Sequence, residues 1–382
     1  MNYIPKIGLP LFILAFGSTL MQACKTENDL KVENEIKATL KVKDSTYQHV
    51  GYVKVNTARI TDIDKFRFEL SAEESKRYVP ERFFDIAIVF ESAKILPAKS
   101  PKLRGETNPG AGDYVLAYKE WAASQAFSPS AASINRADLY TSDGKQIDDP
   151  MQRNNDPGRY SLSMNEELKS DILALKKSGR MVLMDIMPDH EDAGWESFNT
   201  QEQAKNFALQ INDAINKYGW DGIDIDEEYA AYHNGPYIGS ISRVLYELKK
   251  IWEQEDSRHP GKKLIMAKAL YADYGDFSAP VNIDGNDVRL ADLLTYGWEM
   301  SYGSPLSYRL PNYLNTFKMQ KYQLGLGIDF NINSTTSAVT TAKYVKNNNL
   351  KFMMYYDVKV GDSSKYQAVS DVFYTRRLQV VQ

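Results

Sequence analysis

The sequence is poor in the residues that staple or charge a fold. Its 382 residues include one cysteine, so no disulfide can close within the chain and no zinc site of several thiolates can be built. An excess of positive charge is also missing. Lys and Arg number 46 against 50 Asp and Glu, a formal net charge of −4, which supplies no broad basic field and argues against a nucleic-acid partner. There is no internal repeat and no low-complexity stretch that would make a separate domain. The longest apolar run, Ile7 to Ala23, is too short for a spanning helix and is interrupted by Pro10. What is there is an ordinary globular mixture, 43% hydrophobic and 25% charged, which excludes collagen-like, coiled-coil and wholly disordered chains. At roughly 150 residues per domain, the length admits two domains or one large barrel or sandwich.

The lone cysteine, Cys24, directly follows that apolar run, which itself follows Lys6. The run reads as a secretory signal, and Leu20-Met21-Gln22-Ala23-Cys24 resembles the lipobox of bacterial lipoproteins, although Met21 and Gln22 fit it loosely. An ordinary signal peptide with an incidental cysteine is the alternative. The expectation is a signal over residues 1–24 with Cys24 lipidated, followed by a flexible charged tether over 25–47. The folded part would then sit outside the cytoplasm on the bacterial envelope, at the outer membrane or cell surface. It would touch membrane only through its lipid, which needs more than one chain for a stable hold. A monomer is expected.

Beyond the tether, short apolar stretches alternate with helical patterns. The stretches are Val50 to Val55, Phe84 to Phe90, Met181 to Met187, Trp220 to Asp226, Leu264 to Ala269, Leu294 to Tyr302, Tyr322 to Phe330 and Phe352 to Tyr356. Ser163 with Glu166, and Thr200 with Gln203, read as capping boxes opening helices that end at Gly179 and Gly219. A third helix carries Ile241, Val244, Leu245, Leu248 and Ile251 at spacings of three and four. Strand and helix in alternation imply a mainly parallel sheet, and eight strands predict a (β/α)₈ TIM barrel. An open doubly wound sheet is the rival; Val50 to Arg59 lacks the Gly-rich phosphate turn it usually carries. The polar stretch from about 97 to 158, rich in Pro, Gly, Ser, Asn and Asp, breaks the alternation and is expected to be a long insertion after the second strand. The globular part, 48–382, would be one domain.

The chemical signal is Tyr218 to Tyr229, which reads YGWDGIDIDEEY. Strand side chains alternate faces, so Asp224, Asp226 and Glu228 point one way and Ile223 and Ile225 the other. Acids so close repel, and ionising one raises the pKa of its neighbour, which lets Glu228 act as an acid near neutral pH. A calcium or magnesium site and a solvated acidic turn are the other readings. The spacing is wrong for an EF-hand, and the acids alternate with Ile and Gly inside an apolar strand. No metal and no cofactor is expected.

Asp221-Gly222-Ile223-Asp224-Ile225-Asp226-Glu227-Glu228 resembles the D-G-x-D-x-D-x-E motif of glycoside hydrolase family 18, found at the end of the fourth strand of a TIM barrel. The continuation Tyr229-Ala230-Ala231-Tyr232 is more similar to endo-β-N-acetylglucosaminidases of the endoglycosidase H and F type than to chitinases. VLMDIMPDHEDAGWESF from Val182, YGWEMSYG from Tyr296, HVGYVKVN from His49 and FFDIAIVF from Phe83 resemble further strands of that enzyme type. The resemblance covers about residues 49 to 375, outside the insertion. It implies hydrolysis of the GlcNAc-β1,4-GlcNAc core of N-linked glycans with retention, the substrate's own acetamide serving as nucleophile. By matching position Glu228 would be the general acid and base, Asp226 would hold the acetamide N–H, Asp224 would share a proton with Asp226, and Tyr302 would bind the acetamide oxygen. A chitinase and a non-catalytic glycan-binding barrel are the alternatives.

Candidate sugar contacts are Trp298, Tyr229, Tyr232, His190, Asp221 and Tyr356, with Trp195 and Tyr355 as further aromatic residues. Each aromatic could equally pack in the core, and His190 could serve as a structural hydrogen-bonding residue. Asp185 and Pro188 stand where family members have a Ser and Gly residues. Asp185 adds a fourth acid near the row or pairs with Lys268.

Overall fold

The computed structural model describes residues 46–381 apart from 55–58, 77, 101, 104–111, 120–159, 192, 229, 233–234, 256–260, 272–273, 301 and 303–308. Cys24, the signal and nearly all of the tether therefore lie outside the described residues, as do Tyr229 and most of the 97–158 insertion. No described helix is long and apolar enough to cross a membrane.

Eight parallel strands close into a barrel: β1 (Gln48–Lys54), β2 (Ile86–Pro97), β3 (Met181–Met187), β4 (Gly222–Ile225), β5 (Ile265–Leu270), β6 (Tyr296–Glu299), β7 (Leu324–Asp329) and β8 (Phe352–Tyr356). Each pairs with the next, and β1 closes the ring by pairing with both β2 and β8. All eight apolar stretches of the sequence are strands, and the fold is the expected (β/α)₈ barrel. Alternation gives each strand two destinations. Val50, Tyr52, Ile86, Ile88, Leu183, Ala267, Ala269, Trp298 and Met354 fill the lumen, while Val53, Ala87, Met184, Ile223, Ile225, Met266 and Leu326 pack outward with the helices.

The helices follow their sequence signals with one correction. In α1 (Glu166–Lys177) the N-cap is Asn165, whose side chain accepts from the Glu167 N–H; the expected Ser163 cap lies two residues too early. In α2 (Gln201–Tyr218) the Thr200/Gln203 capping box is complete and Gly219, at φ 78°, ends the helix. The third, α3 (Ser240–Gln254), buries Ile241, Val244, Leu245, Leu248 and Ile251 as its spacing requires. The insertion begins with secondary structure of its own: β2 runs on past the barrel and pairs antiparallel with Tyr114–Lys119, which pairs in turn with Tyr160–Ser161.

One glycine positions the site. A Cβ on Gly222 would lie 2.0 Å from the carbonyl oxygen of Ile265. Glycine there lets β5 approach β4 closely just before the first lumen-facing acid.

Candidate active site

The acid row lies where β4 meets the carboxyl end of the barrel. Ile223 and Ile225 pack outward, and Asp224 and Asp226 are buried. Asp224 accepts from the Tyr52 hydroxyl of β1 and from the Trp298 indole N–H of β6 at 2.8 Å. It is tied across the lumen to both sides of the barrel. Asp226 is also buried, and its Oδ1 has no hydrogen-bond partner. Glu228 is half-buried at the rim.

Asp185, the departure noted in β3, stands in register with Asp224. A bulge in β2 between Val89 and Ala93 turns the Glu91 N–H onto its Oδ2 at 2.6 Å. This makes it a third buried acid, beside Asp224 and Asp226. Lys268 takes the other route: it pairs in register with the outward Ile225, and its charge lowers the pKa of Asp224, Asp226, Glu227 and Glu228 from behind the wall.

Burial and crowding set the protonation. Burial lifts Asp224 to about 7, against the pull of the Tyr52 and Trp298 hydrogen bonds and of Lys268. Asp226 is raised by burial and then by the charges of Glu228 and Asp224, and Asp185 by burial and then by Asp226 and Asp224. Burial raises Glu228 too, while Lys268 and Lys54 oppose the shift. A half-exposed acid whose pKa burial raises, above a buried carboxyl oxygen open to a donor, can protonate a leaving oxygen while its neighbour holds an N–H.

The other candidates fall in different places. Tyr302 lies at the mouth with its ring stacked on Tyr356 at 6.1 Å, and burial and the Asp226 charge hold its hydroxyl proton on. Lys54, at the end of β1, lies 4.5 Å from the Tyr356 ring centroid. His190 is hydrogen-bonded to the Glu228 backbone, and burial pushes its pKa down to about 4, so the ring is neutral around pH 7. Trp298 differs from the expectation of a sugar-stacking surface. It is fully buried in the lumen, because the barrel interior is packed rather than open, and its N–H serves Asp224. Trp195 and Tyr355 are likewise buried in the outer core. Asp221 is corrected outright. It lies just before the amino end of β4, where it pairs with Lys176 at 2.9 Å and accepts from the Val182 N–H, at the end of the strand away from Glu228.

Tyr232 also has another task than stacking on sugar. Its hydroxyl donates to Glu227 at 2.6 Å and accepts from the Glu196 N–H at 3.0 Å. Glu227 accepts in addition from the Trp195 N–H at 2.7 Å. Gly194 leaves room for this, since a Cβ there would lie 2.2 Å from the Tyr232 hydroxyl. The loops after β3 and β4 are thereby fastened together beneath Glu228. Burial lifts the Glu227 carboxyl to about 7.

The raised pKa values of Asp185, Asp224, Asp226, Glu227 and Glu228 make the folded chain bind more protons than the unfolded one. For Asp224 and Glu227 the stability this contributes is present below the ordinary carboxylate range and is lost as pH rises through about 7. Melting temperature followed from pH 5 to pH 8 is therefore expected to fall. Glu227→Gln is expected to flatten that fall.

Sequence reasoning missed Tyr52, Lys54 and Glu227. The first two share the lumen-facing parity of Val50 on β1, a signal readable once the barrel is assumed.

No family model matches the chain. It is 27% identical over 206 residues to an endo-beta-N-acetylglucosaminidase of Flavobacterium sp. (strain SK1022), covering 53% of this chain and 59% of that protein. It is 30% identical over 83 residues to endo-beta-N-acetylglucosaminidase F1 of Elizabethkingia meningoseptica, 20% of this chain and 24% of that one. The chain thus spans less than two thirds of either relative. Among solved structures, Bacteroides thetaiotamicron EndoBT-3987 in complex with Man9GlcNAc2Asn substrate superposes with a TM-score of 0.55 at 15% identity, over 91% of this chain and 70% of that one. Its Man5GlcNAc product complex gives a TM-score of 0.55 at 16% identity, over 90% and 64%. These structures share the barrel fold.

Proposed function

We propose that the chain is a glycoside hydrolase, a retaining endo-β-N-acetylglucosaminidase that cuts the GlcNAc-β1,4-GlcNAc core of N-linked glycans. The observation that carries this reading is the acid row: two buried aspartates leading to a half-buried glutamate with a raised pKa at the mouth of the barrel. The names of the two curated relatives support the same class of reaction.

In this reading the acetamide oxygen of the bound sugar attacks its own anomeric carbon as the bond to the leaving oxygen breaks. Glu228 gives its proton to that oxygen, and a cyclic oxazolinium forms. Water then attacks the anomeric carbon from the side the leaving group vacated, loses a proton to Glu228 and reopens the ring, so configuration is retained. Asp226 accepts the acetamide N–H through its open Oδ1, Asp224 shares the proton of the pair, and the Tyr302 hydroxyl holds the acetamide oxygen. The side chains align a nucleophile that the substrate brings. His190 supports the Glu228 backbone, and Tyr356 with Tyr302 forms one wall of the sugar site. No metal or cofactor is required. Cys24 is proposed as the lipidated residue holding a monomeric domain to the outside of the bacterial envelope.

The test is incubation of a high-mannose glycoprotein with the soluble form lacking residues 1–24, followed by intact-mass measurement. The expected result is loss of the glycan with one GlcNAc left on the protein. An unchanged mass with the glycan still bound would favour a glycan-binding barrel, and cleavage of chitin oligomers alone would favour a chitinase.

A further inference from the structure

Glu228 stands on the loop after β4, and the contacts that hold this loop run to the loop after β3. His190 is hydrogen-bonded to the Glu228 backbone, the Ala231 N–H donates to the Glu191 carbonyl at 2.6 Å, and the Glu227 carboxyl accepts from the Trp195 N–H. The place of the acid at the mouth therefore depends on the chain from His190 to Trp195. Within it, His190 has a φ of 65°, a left-handed backbone that a residue with a Cβ keeps only when its surroundings hold it there.

Part of the hold is local: Asp189 Oδ1 accepts from the N–H groups of Glu191 and Ala193 at 2.7 and 3.0 Å. The rest comes from outside the loop. The Lys102 ammonium donates to the Asp189 carbonyl at 3.2 Å and lies 3.0 Å from the Glu191 carboxylate. One cation thus grips the residue before the left-handed turn and the residue after it. The Lys102 side chain is buried, so little water competes for its donors. Lys102 belongs to the insertion, the part of the chain outside the family resemblance, and its stem is fixed there. The Tyr160 N–H donates to the Lys102 carbonyl at 3.1 Å, Leu103 bridges to Tyr160, and Leu96, Leu103, Val115, Ala117 and Tyr160 close a small core of their own.

We propose that Lys102 is a positioning residue for Glu228, a clamp through which the insertion fixes the turn at His190 and with it the place of the acid at the barrel mouth. This role rests on the functional reading above. Lys102 touches no substrate in it and moves no proton; without its ammonium the turn relaxes, and the Glu228 backbone that hangs on His190 shifts away from the leaving oxygen.

The test compares the full chain with Lys102→Met, which keeps the apolar stem and removes the charge, and with Lys102→Arg. Two substrates are used: a Man5GlcNAc2-Asn glycopeptide, whose leaving oxygen needs a proton, and the 4-nitrophenyl glycoside of Man5GlcNAc, whose leaving group departs without one. Lys102→Met is expected to lower kcat on the glycopeptide by about tenfold to 10²-fold, as a misplaced reacting group does, with KM unchanged, and to slow the nitrophenyl glycoside far less. Lys102→Arg is expected to recover part of the lost rate. Hydrogen exchange gives a readout that needs no turnover: in Lys102→Met the segment carrying Glu228 exchanges faster while α2 and α3 exchange as in the parent. An unchanged kcat, equal losses on both substrates, or exchange that quickens throughout α2 and α3 as well would overturn the clamp and leave the functional reading standing. A parent chain that cleaves neither substrate overturns the functional reading and the positioning role with it.

Discussion

Glu228→Gln is expected to lower kcat on a high-mannose glycoprotein by about 10²- to 10⁴-fold, the contribution of a positioned general acid, with KM changed little. Glutamine fills the same space and keeps the rim intact, so the loss reports the missing proton. The pH dependence carries a second mark of the same group. Glu228 acts as an acid only while protonated, and burial holds its pKa above the ordinary glutamate value. The rate of the native chain therefore falls as pH rises through that raised value. In Glu228→Gln the residual rate no longer follows that limb. A variant that kept full activity would place the acid elsewhere.

The largest expected effect on stability lies behind the mouth. Arg309 and Glu299 form an ion pair with side chains 6% and 2% exposed. Glu299→Ala leaves a buried guanidinium without its counter-charge, which costs about 3–5 kcal/mol and lowers the melting temperature by on the order of 10 °C. The double variant Glu299→Leu with Arg309→Leu is expected to recover much of the loss, because removing both charges also removes their desolvation. Thermal denaturation of the two variants beside the parent checks this. A single variant as stable as the parent would show that the pair contributes nothing.

Much of this architecture is legible in the sequence. The eight strands were readable because fully buried barrel strands are short apolar runs bounded by turns, and α2 because both its capping box and its terminal glycine obey local chemistry. The acid row was readable because a two-residue period of carboxylates inside such a run has few other uses. What failed shares a physical cause. A local pattern gives the face of a side chain, and it does not give depth along the barrel axis. Trp298 shares the lumen face but lies one layer below the mouth, so it is packed and hydrogen-bonded to Asp224. Asp221 belongs to the motif but sits at the opposite end of β4. Tyr232 could not be sorted from sequence, because its role depends on chain segments far away, Glu196 and Trp195. The antiparallel extension of β2 was hidden in a polar, Pro- and Gly-rich stretch in which only Tyr114–Lys119 carries a strand-like run.

The most direct test of the central claim is the stereochemistry of the first-formed product, followed by proton NMR as the native chain cleaves a Man5GlcNAc2-Asn glycopeptide. Substrate-assisted cleavage with Glu228 as acid and base predicts that the β-anomer of the released GlcNAc appears first and mutarotates afterwards. Release of the α-anomer first would require water to attack directly from the opposite face and would contradict the account.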